Sequence, residues 1–528
     1  MIDSSVGRDL GLYPGADFRV TTAAGANGGI VRQALWYFRD ETIAVPIAGT
    51  PISSFTPGVR VGDDLRGWLA ARHDGQASDY PPLVWIAAPD VVAGAHLVDN
   101  GAELATPIGN LAFRATPRIA LNRSYYDASS VRYFSMRSVK VRGTTANEAI
   151  VAHTLWPEEF QLARLPPLRA LPPDRPTTLG LRARMRADPQ GGARSPYATE
   201  TLWRRAGTSD DLRGRAVVGI MVNGAQGDDD EAHSGHFALV TGRIQQDGAI
   251  GDWLVNNFYT LDAESEKGIL AAPVPLDNYL ADLNSGQGWY RPSCMLVAVL
   301  SSERAPALLQ SALGRVYNQL WRHQIVYYHP TTNCTSISID TLLALGWSIP
   351  QRGPTSRLSA IAGFPWLVVR ERSIARAMTM VDYLWTKQSR MLPAAAFEQI
   401  GASLLALPTT LPGGEQRGVL ESMLASDLDA LVYLQFPQFP SSRAWGDAPV
   451  VTLREYRDRL PRDPARIKSV PVPPRRFPAA LRDADLLPAP LPPSEWIASI
   501  WGVLSVAGIP WVVRRWWRRR SAQRRRAR

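Results

Sequence analysis

Apolar residues fall in short blocks through the first part of the chain and recur at helical spacing through its last third. Over residues 1–160, runs such as PLVWIAAPDVV and VRYFSMRSVKVRG are cut by turn residues in DNG and TPIGN, which predicts a β-rich N-terminal domain. WPEEFQLARLPPLRALPPDRP follows, and its paired prolines forbid continuous helix or central strand. A Pro-rich linker or extended strap is expected over 161–195. Between 196 and 350 the runs RAVVGIMVNG, GHFALVTGRI and CMLVAVL predict strands, and GHFALVTGRI should form an antiparallel hairpin with DWLVNNFYTL. PLDNYLADL predicts a short helix, and SSERAPALLQSALGRVYNQLWR a longer one opened by Ser301 or Ser302 with Pro306 in its first turn. Residues 351–436 carry helical periodicity in WLVVRERSIARAMTMVDYLW and GVLESMLASDLDALVYL. Thirteen prolines between Pro437 and Pro493 make 437–493 an extended spacer.

At 528 residues the chain is long enough for roughly two to four domains. The formal charge of +10 suggests a nucleic-acid partner until its position is considered. Nine arginines lie after Val513 with no acid among them, and ten minus nine leaves the remainder at +1. The body is therefore near neutral and no nucleic-acid partner is expected. Two cysteines, Cys294 and Cys334, exclude a disulfide framework or a multi-cysteine zinc site.

Within 494–528, Trp496 to Val513 is eighteen residues without a charge, bracketed by Glu495 and Arg514. As a helix it would cover roughly 27 Å, enough for a thin hydrocarbon core. Trp496, Trp511, Trp516 and Trp517 stand near its ends, where interfacial aromatics belong. A terminal membrane helix is expected, with membrane lipids as partner through this helix and the Arg-rich tail. Positive-inside orientation would leave the tail cytoplasmic and the body across the membrane, whereas MIDSSVGRDLGLYPGADF has no signal-peptide pattern. The side of the membrane stays open.

The chemistry-bearing stretch is YYHPTTNCTSISIDTLLALG, Tyr327 to Gly346. Asn333 is a suitable N-cap and Gly346 a natural stop, so Cys334 should open a helix, where unpaired amides and the helix dipole favour thiolate. A nucleophilic thiol still needs a base. Of His233, His236, His323 and His329, His236 at the head of a strand is the best placed, because Pro330 holds His329 in extended backbone too close in sequence. Asn256 or Asn257 on the neighbouring strand should orient the imidazole, and alternation admits only one of them to the site face.

GHFALVTGRI followed much later by NCTSISIDTL resembles the circularly permuted papain-like arrangement, in which the histidine strand precedes the cysteine helix. Lecithin:retinol acyltransferase-like proteins and permuted NlpC-type hydrolases share that order. GHFALV, YRPSCMLVAVL and YYHPTTNCTSISIDTLL are more closely similar to the bacterial Lnb N-terminal periplasmic domain family. The resemblance covers about residues 196–350 and implies an α+β domain, an antiparallel sheet plus a cysteine-bearing helix. It further implies Cys334 as nucleophile and His236 as base of a hydrolase or acyltransferase with no defined substrate; only the expected membrane tether points, by association, to an acyl, peptide or lipid substrate. Here Cys-Thr-Ser stands where that family commonly has Cys-Thr-Thr and an arginine.

The competing reading makes Cys334 a small buried thiol in a catalytically silent, membrane-tethered scaffold. Asp228, Asp229, Asp230, Glu231, His233 and His236 could bind a metal, but their spacing fits neither a calcium loop nor a zincin helix, so a solvated acidic loop is expected. No phosphate loop or dinucleotide fingerprint occurs, and cofactor-independent chemistry is expected.

Overall fold

The structure is a computed structural model. It describes residues 8–482 except 27–28, 73–77, 121, 123, 187–195, 225–233, 264–269, 410–415, 441–448, 460–462 and 464–473. The apolar segment Trp496–Val513, the arginine tail, His233 and the GDDDEA stretch all lie outside the described residues. No helix among the described residues is long and apolar enough to cross a membrane.

The molecule is α+β, as expected, with two main sheets. The first is a closed five-stranded barrel of β1 (Asp90–Val98), β2 (Glu103–Thr106), β3 (Gly109–Ala115), β4 (Val139–Ala146) and β5 (Ala149–Pro157). β3 and β5 pair in parallel and the other neighbours are antiparallel, so closure leaves no edge. Ahead of it stands a three-stranded sheet of Phe18–Thr21, Ile43–Pro46 and Val84–Trp85.

The second sheet has seven strands: β6 (Ala198–Arg204), β7 (Ala216–Asn223), β8 (His236–Arg243), β9 (Leu254–Asn257), β10 (Ala272–Pro275), β11 (Ser293–Leu300) and β12 (Leu428–Phe436). Their order is β6-β12-β11-β7-β8-β9-β10, antiparallel throughout. β12 departs from the helical expectation for 351–436. GVLESMLASD does form a helix, Val419–Asp427, but LDALVYLQF turns extended and enters the sheet between β6 and β11. A short apolar run buried on both faces has no period that separates helix from strand.

Helices α1 (Arg304–Trp321), α2 (Cys334–Ala344) and α5 (Pro393–Ala406) pack on the sheet, and α3 (Arg357–Glu371) and α4 (Ile374–Trp385) form a hairpin with a separate small core. The helical periodicity of WLVVRERSIARAMTMVDYLW is realised as two helices, divided at Arg372, whose φ is +50°, with Ser373 capping α4. Within the stretch 161–195, Gln161, Arg164 and Leu168 make single bridges to Ala249, Asp211 and Thr201, and Thr177–Met185 form a helix where a linker was expected. Part of the Pro-rich spacer also docks, with Arg475 donating its N–H to Asp262 and Phe477 stacking on Tyr37.

Barrel and sheet are joined by a buried four-charge network. Arg142 Nε lies 2.8 Å from Asp277 Oδ2 and Arg142 Nη2 lies 2.9 Å from Asp252, while Lys140 Nζ is 2.7 Å from both carboxylates. Burial alone would raise the Asp277 carboxyl, but Arg142 and Lys140 hold it below its ordinary value. A carboxylate with a depressed folded pKa adds stability above its unfolded value and loses it as pH falls. Asp277→Ala should therefore cost about 3–5 kcal/mol, because it strands Arg142 in the interior. Chemical denaturation is the measurement, and the gap between wild type and variant should narrow on acidification below the ordinary carboxylate range.

Candidate functional site

The cysteine helix starts where the sequence predicts. Asn333 Oδ1 accepts the N–H groups of Thr335 (2.9 Å) and Ser336 (3.0 Å), and Ser336 Oγ accepts the Asn333 N–H (2.8 Å), completing a capping box. Asn333 Nδ2 donates to the His329 carbonyl at 2.7 Å, so the loop before the helix is tied to its start. Cys334 is thus fixed as the first helical residue. Gly346, at φ +84°, ends the helix-to-loop turn.

The same cap corrects one expectation. The Thr335 and Ser336 amides already serve Asn333 and are not open oxyanion donors. The Cys334 N–H makes only a 3.4 Å contact with Tyr327 Oη, which an incoming oxygen could replace.

On the other side, Gly235 explains the Gly-His pair. Its φ is +88°, and a Cβ there would lie 2.3 Å from the Asn223 carbonyl oxygen. Only glycine lets the chain turn into β8 so close to β7. His236 then pairs with Asn223 in the ladder. β9 stops tracking β8 at Leu239↔Asn256, and into the region of β8 beyond that point comes α2, with the Phe237 N–H directed to Cys334 Sγ.

Tyr259, Tyr279 and Tyr327 enclose this end of the sheet. Tyr259 lies 5.5 Å from the His236 ring and 6.4 Å from Tyr327, and Tyr279 lies 6.3 Å from His236. Tyr279 is also a neighbour of Cys334; burial keeps its hydroxyl protonated, and it donates to Asn223 Oδ1. Asn223 in turn donates to Ser293 Oγ at 2.7 Å. Burial pushes the Cys334 thiol above its ordinary value, against the donors Phe237, Thr335 and Tyr327. The expected easy ionisation at the helix dipole is therefore outweighed at rest.

His236 and Cys334, nearly a hundred residues apart, are brought to one strand end. No family model, curated protein or solved structure matches this chain. The site has to be judged by its own geometry. Asn256 faces away from His236: it exchanges 3.1 Å hydrogen bonds with Gln310 of α1, which also accepts from Thr241. Asn257 falls on the His236 face by alternation but donates to the Leu270 carbonyl at 3.0 Å. The bonds of Asn256 remove it from the role of orienter, whereas Asn257, on the His236 face, keeps a buried Oδ1 that accepts no hydrogen bond among the described residues.

His329 bonds Tyr383 Oη through Nδ1 at 3.0 Å, and His323 bonds Tyr37 at 2.6 Å, so both are engaged elsewhere. Cys294 is buried in β11 beside Tyr433. Among the described residues no group of three or more His, Cys, Asp or Glu side chains is arranged to hold a metal ion. The enclosing residues Asn223, Tyr259, Tyr279 and Tyr327 escaped sequence reading, although Tyr327 stands only seven positions before the cysteine.

Asn333→Ala should lower stability by about 1–2 kcal/mol by removing the cap. Gly235→Ala should cost more, because strain and overlap with Asn223 coincide. Thermal melts of both variants, with Asn257→Ala as a comparison outside the cap and the turn, measure the order.

Proposed function

We propose that the protein is a cysteine hydrolase or acyltransferase acting on an amide or ester, with Cys334 as nucleophile and His236 as base. The observation that carries this reading is the meeting of a capped helix start bearing Cys334 with the first residues of β8. The likeness to permuted papain-like enzymes supports the same pairing. Cys334 Sγ would attack the acyl carbon while its proton passes to His236, and His236 would return that proton to the departing amine or alcohol. Attack by water on the thioester completes hydrolysis; attack by another amine or alcohol completes transfer. The oxyanion would take the place of Tyr327 Oη at the Cys334 N–H. Because the resting thiol is protonated, ionisation has to accompany proton transfer rather than precede it. Membrane association through the apolar C-terminal segment and its arginines belongs to this reading, with amphiphilic acyl or peptide compounds as substrates.

The buried, raised thiol favours a second reading, a silent scaffold that keeps the fold. Labelling of the native full chain with a small thiol-reactive acyl probe separates the two. In the enzyme, Cys334 labels ahead of Cys294, and His236→Ala slows Cys334 by about 10²-fold or more. In the scaffold, both cysteines label slowly and equally, and His236→Ala changes neither rate. Labelling of Cys334 should also quicken as pH rises above neutrality, as the raised thiol begins to ionise.

A further inference from the structure

The α3–α4 hairpin has an outer face that the rest of the molecule leaves bare. Inward, Ala360 and Leu367 of α3 meet Ala377, Val381 and Trp385 of α4. Outward, α3 shows Leu358 (82% exposed), Ile361, Ala362, Pro365, Trp366 (59%) and Val369 (78%). At about 100° per residue these six occupy an arc of roughly 140° without a charge or a hydrogen-bonding side chain other than the indole. Ile374, at the start of α4, adds a further exposed apolar residue. A helix that is apolar on both faces belongs in a packed interior or against lipid.

Charge selects between the possible covers. Residues 357–376 hold Arg357, Arg370, Arg372 and Arg376 and a single acid, Glu371. The four arginines are exposed, and Arg370 lies over the Trp366 ring at 5.0 Å. An arginine-bordered apolar face repels a second copy of itself, and it equally disfavours the chain's own apolar C-terminal segment, which is followed by nine arginines. It complements an anionic bilayer surface, where the apolar stripe enters the acyl boundary and the guanidinium groups meet head groups. We infer that the α3–α4 hairpin is a monotopic membrane-docking element that lies in the interface of an anionic bilayer.

Its attachment gives the docking a consequence. Tyr328 Oη donates to Asp382 of α4 at 2.9 Å, and Tyr383 of α4 bonds His329 at 3.0 Å. His329 is itself bonded to Asn333, the cap of the cysteine helix. The hairpin therefore grips the loop that precedes Cys334, and a docked hairpin holds that loop at the lipid surface. The docking stands on its own observations, and only its bearing on substrate class rests on the proposed chemistry.

The test is sedimentation of the full chain with vesicles of phosphatidylcholine alone or with about one-third phosphatidylglycerol, a mixture chosen for surface charge. Leu358→Glu/Val369→Glu should keep the wild-type circular dichroism and melt, since both side chains are exposed, and should bind anionic vesicles at least tenfold more weakly. Arg370→Ala/Arg376→Ala should weaken binding to anionic vesicles while leaving any binding to phosphatidylcholine unchanged. Carbene footprinting should show Leu358 and Val369 modified in the lipid-free chain and protected on anionic vesicles. Unchanged vesicle binding by the double glutamate variant overturns the proposal. So does a lipid-free footprint already protected at these residues, whether by the chain's own terminus or by a dimer seen in size exclusion. Loss of Cys334 labelling with vesicle binding intact would sink the chemistry and leave the docking standing.

Discussion

A sheet buried on both faces has few places for polar chemistry. Every residue of β7, β8 except Arg243, β9, β10 and β11 is buried, so a polar side chain in mid-strand must find a fixed partner, as Asn256 does in Gln310. At the ends of strands the ladder stops, and backbone donors become available to groups from other elements. The Phe237 N–H is such a donor, and the departure of β9 from β8 leaves it to the thiol of α2. Gly235 fixes the opposite boundary by bringing β8 out of its turn against Asn223. The placement of the candidate site thus follows from where pairing ends.

That constraint explains what was legible. Local signals carried the capped start of α2, the helix α1 and the β8–β9 hairpin, because each depends on neighbours close in sequence. Asn333 with Ser336 three positions later is a signature visible without any structure. β12 was illegible for the opposite reason: LVYL is a buried run whose neighbours, β6 and β11, stand more than a hundred residues away. The tyrosines around His236 were hidden in the same way, since three separate loops and helices deliver Tyr259, Tyr279 and Tyr327. Asn256 and Asn257 showed that alternation divides two neighbours between faces, but register alone decides which is which: Asn256 turns to Gln310, and Asn257 shares the face of His236.

The barrel and the hairpin act on the site through different physics. The Lys140–Arg142–Asp252–Asp277 network fastens the barrel to the loop before β9 and to the short helix Leu276–Ala281, where desolvated charges demand each other and leave little freedom. The hairpin reaches the cysteine loop through the hydroxyl of Tyr328 on the Asp382 carboxylate and that of Tyr383 on His329, single hydrogen bonds in place of a desolvated ion-pair network.

Stability alone gives a poor account of the strand end. Asn223, Ser293, Tyr279, His236 and the Cys334 thiol are all buried there, and burying polar groups in place of apolar ones of similar shape brings little net gain even when they are bonded. A sequence asked only to fold could have continued the Val, Leu and Ile of β7, β8 and β11 to the last rung. Instead it places an imidazole and a thiol behind three tyrosines, with the thiol held neutral by burial. Such an arrangement costs stability, and the proton transfer proposed between His236 and Cys334 would account for its being kept.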